Sequence, residues 1–132
     1  MVGDEISFRA ERVASEEEAY TPDFVVHAIH FAAGNPEEGG QHWHFSRAVG
    51  DEADDDGVCT VMEIQEVTIY DGIAGFSLSR DGVRCEFDEK AAKAAGVRRL
   101  CIDYSIDDAT WESLQARARK VFEGEAYFAV SG

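Results

Sequence analysis

Basic residues are scarce in this sequence, and the scarcity excludes more than any motif does. Twelve Lys and Arg stand against 27 Asp and Glu, a formal net charge of −15 over 132 residues. A field of that sign repels phosphate backbones and anionic lipid, which sets nucleic acid and membranes aside and leaves basic proteins or cations as expected partners. Proline is nearly absent too, with two in the chain, and no Ser/Gly-rich stretch interrupts it. No linker is therefore expected, and residues 1–132 read as a single domain of ordinary size. No apolar run is long enough to span a bilayer, and Met1-Val-Gly-Asp-Glu5 lacks the charged-then-apolar pattern of a signal segment. Three cysteines, Cys59, Cys85 and Cys101, are odd in number and widely spaced, with no Cys-x-x-Cys pair. They fall in strand-like stretches, where a free cysteine packs as a small hydrophobe. These absences together predict a reduced, cytoplasmic protein.

Motifs for catalysis are missing as well. The chain has no Gly-x-Ser-x-Gly elbow, no phosphate-cradling glycine loop and no His-Glu-x-x-His pair. None of the cysteines stands at a helix start, where its thiol would be activated. The expectation is a protein that binds rather than an enzyme, with no cofactor.

What is present can build a core. Hydrophobic residues make up 45% of the chain, including eight Phe, four Tyr and two Trp. Ile6 to Arg12 alternates apolar and polar residues as a half-buried strand does, and Glu16-Glu17-Glu18 then reads as a solvated loop. Asp23 to Ala33 is a strand apolar enough to be covered on both faces. Gly34 to Gly40 is turn chemistry, and Gln41 to Val49 returns as the antiparallel mate. Asp71-Gly72 and Asp81-Gly82, each between alternating runs, predict two hairpin turns and a meander from Val67 to Phe87. Asp88 to Gly96 is a short alanine-rich helix stopped by its glycine, and Arg98 to Ile106 is a strand with Leu100, Ile102 and Tyr104 inward. Asp107 or Asp108 caps a longer helix whose Trp111, Leu114, Ala118, Val121 and Phe122 form one apolar stripe, and Ala126 to Val130 closes as a strand. The class is α+β: a mostly antiparallel sheet with one short helix and one C-terminal amphipathic helix packed on it.

Two clusters invite a metal. His42 and His44, two apart on one strand, share a face and are placed to ligate zinc or copper jointly. His27 and His30, three apart, point to opposite faces, so at most one joins them; exposed or hydrogen-bonded strand histidines are the plainer reading. Glu52, Asp54, Asp56, Gly57 and Glu63 follow the rhythm of a calcium loop, yet no helix precedes them and Val58–Met62 reads as strand. A charged, solvated loop is the plainer reading there.

The acidity itself is lopsided. Residues 1–66 hold sixteen acids and three bases, net −13, while residues 67–132 are near balance at −2. One explanation is a binding surface for a basic partner; others are a solubility surface, a salt-adapted proteome or a general acidic interaction domain. Glu52, Asp54, Asp55 and Asp56 are the candidate steering charges, and Trp43 is either an aromatic interface anchor or core.

The order of features resembles the immunity protein 10 family of bacterial polymorphic toxin systems. The likeness runs from Phe8-Arg-Ala-Glu-Arg-Val-Ala-Ser-Glu-Glu-Glu18 through His44-Phe-Ser-Arg47, Val61-Met-Glu63-Ile-Gln65 and Tyr70-Asp-Gly-Ile73-Ala-Gly-Phe-Ser-Leu-Ser-Arg-Asp81. It continues in Glu86-Phe-Asp88-Glu-Lys-Ala-Ala-Lys-Ala-Ala-Gly96, Ile102-Asp-Tyr-Ser-Ile-Asp-Asp108 and the helix end Val121-Phe122-Glu-Gly124. The resemblance implies a mostly β, non-enzymatic cytosolic protein that shields its producer by binding a cognate toxin. It assigns no binding residues.

Overall fold

The computed structural model describes residues 3–50, 57–62 and 67–131. Ten strands and two α-helices appear among them, arranged as two five-stranded sheets that share one core. The α+β class read from the sequence is the class observed.

The strands are β1 (Gly3–Arg9), β2 (Arg12–Thr21), β3 (Phe24–Ala33), β4 (Gln41–Val49), β5 (Cys59–Met62), β6 (Val67–Tyr70), β7 (Ile73–Ser79), β8 (Gly82–Phe87), β9 (Val97–Asp103) and β10 (Phe128–Ser131). Helices α1 (Glu89–Ala95) and α2 (Asp108–Val121) flank β9 in sequence. One sheet is an antiparallel meander in chain order, β2-β3-β4-β5-β6. The other has the order β1-β9-β8-β7-β10, with a parallel pair at each edge.

Two local readings need correction. Glu16-Glu17-Glu18 is not a loop but the middle of β2, paired with Ala28, His27 and Val26. β2 is an edge strand exposed along most of its length, so its burial pattern offers no clean alternation, and the ladder to β3 holds it extended despite the charge. The first strand also ends early. Ala10 N–H donates to Asp103 O at 2.7 Å and Glu11 N–H to Ala32 O at 2.8 Å, so the chain changes sheets within one residue.

The second correction concerns the meander expected over Val67–Phe87. Asp71 (φ 62°) and Gly72 (φ 90°) have the left-handed backbone of a tight turn, but β6 belongs to one sheet and β7 to the other. The turn is a crossover. Asp71 N–H donates to Val58 O, and Gly72 O accepts from Asp88 N–H at the start of α1. A Cβ on Gly72 would lie 2.6 Å from Ala91 Cβ, so the helix can sit there only over glycine. The second expected hairpin, β7–β8, is present.

Aromatic contacts join the two inner faces. Trp43 stacks on Phe87, Phe45 meets Phe76 edge-on with centroids 5.0 Å apart, and Phe31 stacks on Tyr104. Helix α2, capped by Asp107 through Thr110 N–H, buries Trp111, Leu114, Ala118 and Val121. It packs on β2, β3 and β4 beside the other sheet. The meander sheet is thereby covered on one side, and among the described residues its other side is left open.

Candidate partner-binding face

The period of two along β3 and β4 sorts their side chains. Ile29, Phe31, Trp43 and Phe45 are fully buried, while Val26, Ala28, His30, His42, His44, Ser46 and Ala48 on the opposite face are only half-buried. Register carries that outer face across the sheet: His44 opposes Val61, Ser46 opposes Cys59, and Cys59 opposes Tyr70. Five strands at the usual spacing make it roughly 19 Å wide. On β3, β4, β5 and β6 its side chains are phenylalanine, alanine, valine, serine, threonine, cysteine, tyrosine and histidine, without Lys, Arg, Asp or Glu. Charge appears at the β2 rim, as Arg12, Glu16 and Glu18. Among the described residues this face is therefore charge-poor at its centre and charged along its β2 edge alone.

Strand β3 makes the point sharply. Its sequence is apolar on both parities, the pattern of a strand covered on both faces, yet the described residues cover only the face toward α2 and the other sheet. The two large hydrophobic side chains most exposed among the described residues, Tyr20 at 62% and Tyr70 at 66%, border this uncovered face.

The histidines are distributed as strand geometry requires. His30 opposes His44 directly, and their rings lie 4.0 Å apart, tilted by 48°. His30 Nε2 lies 3.3 Å from Glu16 Oε2, and His42 Nε2 lies 3.2 Å from an Arg12 guanidinium nitrogen. His27 points the other way, into the protein, where Arg117 Nη1 meets its Nδ1 at 2.6 Å. Burial lowers the His27 pKa, and the Arg117 charge lowers it further. His42 and His44 thus share a face, with His30 beside them. Among the described residues, however, no group of three His, Cys, Asp or Glu side chains is placed to hold a metal ion. The His30 and His44 rings pack against each other at a tilt, and the His42 Nε2 lies against the Arg12 guanidinium.

Other candidate residues resolve as follows. Trp43 is fully buried, stacked on Phe87, with its indole N–H donating to Gln41 Oε1 at 3.0 Å. It is core, and the interface-anchor reading is withdrawn because no ring surface remains for a partner. The alternation His-Trp-His-Phe already holds the reason, since it sends Trp43 inward with Phe45. Glu52, Asp54, Asp55 and Asp56 lie outside the described residues, as does Glu63, so the calcium rhythm gains no geometry. Sequence reasoning missed Tyr20 and Phe24 as surface features; their signal was two aromatics flanking the Pro22-Asp23 turn.

No helix among the described residues is long and apolar enough to cross a membrane. The chain matches no protein-family model, no curated protein and no solved structure.

Proposed function

We propose that this chain is an immunity-type inhibitor that binds a basic bacterial toxin in the cytoplasm and blocks it by occlusion, without catalysis. The observation that carries the reading is the uncovered outer face of the meander sheet. It is apolar enough to call for a cover and poor in charge at its centre, and it belongs to a chain of net charge −15. The sequence resemblance to the immunity protein 10 family points the same way. The acids of residues 1–66, Glu52, Asp54, Asp55 and Asp56 among them, steer the encounter, and the sheet face supplies the contact area. A toxin that acts on nucleic acid through a basic cleft fits this charge best.

The test is co-expression in bacteria of the toxin domain encoded beside this gene, with and without this chain. Rescue of growth together with a stable purified complex supports the reading. Unrescued growth and no complex with that toxin overturn it.

A further inference from the structure

We infer that the outer end of the β2–β3 hairpin is a docking notch for a lysine or arginine side chain of a basic protein partner. The proposal rests on the chain being a partner-binding module, and does not require that the partner be a toxin.

Tyr20, Thr21, Phe24 and Val26 line an open, mostly apolar notch of about 430 Å³ at this end of the sheet. Tyr20 packs edge-on to Phe24, with centroids 5.5 Å apart at 80°, and leaves 62% of its surface to solvent. At its lip stand carboxylates. Glu18 opposes Val26 across the ladder, and its charge raises the pKa of the nearby Tyr20 hydroxyl; Glu16 is two residues further along the same face.

An apolar floor with an acidic lip fits an amphipathic cation. The methylene stem of lysine or arginine covers the Tyr20 and Phe24 rings, and the charged head reaches Glu18. An uncharged apolar side chain would leave Glu18 unanswered, and a small cation would leave the rings wet.

Charge bookkeeping on the hairpin agrees. Its single base, Arg12, stands at the far end and contacts Gly34 O and His42. Of the three consecutive glutamates, Glu17 is met from within by Arg117 at 3.5 Å. Glu16 faces outward with His30 Nε2 at 3.3 Å, Glu18 faces outward with Val26 opposite it on β3, and Asp23 adds a further acid at the turn.

The probe is a blocked pentapeptide alternating serine and lysine, titrated into the whole 15N-labelled chain, with a norleucine-for-lysine peptide as the uncharged control. Saturable shifts at the Glu18, Tyr20, Phe24 and Val26 amides are expected, and no saturation with norleucine. Tyr20→Ala should weaken binding by about three-fold or more, as should E18Q, with both variants keeping the folded spectrum because these side chains are exposed. Shifts spread evenly over other acidic sites such as Glu5 and Glu89 would overturn the proposal, and so would a dissociation constant unchanged by Tyr20→Ala. If the lysine peptide fills the notch in a chain that gives no protection from toxin, the immunity reading falls and the notch stands. If protection is found but the peptide ignores Tyr20, the reverse holds.

Discussion

His27 and Arg117 meet at 2.6 Å between β3 and α2, with the arginine donating to the ring's Nδ1, and this contact requires the imidazole to be neutral. Glu17 lies 3.7 Å from the same nitrogen and 3.5 Å from Arg117, while Lys120 and Glu123 add weaker fields of opposite sign. Burial and Arg117 together outweigh Glu17, so the folded chain holds His27 below its ordinary pKa of 6.5.

The sign of the pH dependence follows. A group whose pKa is depressed by folding contributes its full stability above the unfolded value and loses it as pH falls through the folded one. Stability should therefore decline as pH drops below about 6.5, before most carboxylates titrate. In thermal melts at pH 7.5 and 5.5, H27Q should lose less stability over that interval than the parent chain. Equal losses in the two proteins would show that the slope belongs to other groups.

Phe122 is the aromatic hub at the end of α2. Its ring lies 4.3 Å from Phe76 and 4.8 Å from Phe128, the latter stacked, with Phe45 and Tyr127 at just over 6 Å. Phe122→Ala should cost about 3–5 kcal/mol in chemical denaturation. It should also raise hydrogen exchange in β10, whose Phe128 loses its stacking partner, more than in β8.

Gly72 and Gly39 separate two costs of a side chain. Both have φ near +90°, but a Cβ at Gly72 collides with Ala91 and one at Gly39 meets nothing within 4 Å. Gly39→Ala should cost about 1–2 kcal/mol, the penalty of the left-handed backbone alone. Gly72→Ala should cost more, because α1 must shift; equal melting temperatures for the two variants would refute the clash.

Trp43 and the acidic segment should behave oppositely on substitution. Trp43→Ala should destabilise the fold by about 3–5 kcal/mol, since the ring is wholly buried. Asp54→Asn, Asp55→Asn and Asp56→Asn combined should leave the melting temperature nearly unchanged. They should slow association with a basic partner and flatten its dependence on salt between roughly 50 and 500 mM. An unchanged association rate would remove the steering role.

Much of the architecture was legible where one periodicity dominates. The cap of α2 at Asp107, the Gly96 stop and the apolar stripe of α2 all follow from local chemistry. The pairing of β3 with β4 was legible too, because a turn-rich segment joins two long runs. β2 was not legible, since three glutamates on an edge strand carry no apolar alternation. The two sheet changes, at Ala10 and at Asp71-Gly72, were also hidden. A left-handed Asp-Gly pair looks the same in a hairpin as in a crossover.

The sequence by itself determined the α+β class, the acid excess, the free cysteines, and the opposition of His27 to His30, because composition and strand parity are properties of neighbouring residues. It also held that β3 is apolar on both faces. Only the tertiary structure decided which face would be covered, since α2 and the second sheet arrive from residues far along the chain and both take the side of Phe31 and Phe45. That choice buried Trp43, left the three outward histidines side by side, and set Tyr20 and Phe24 beside Glu18.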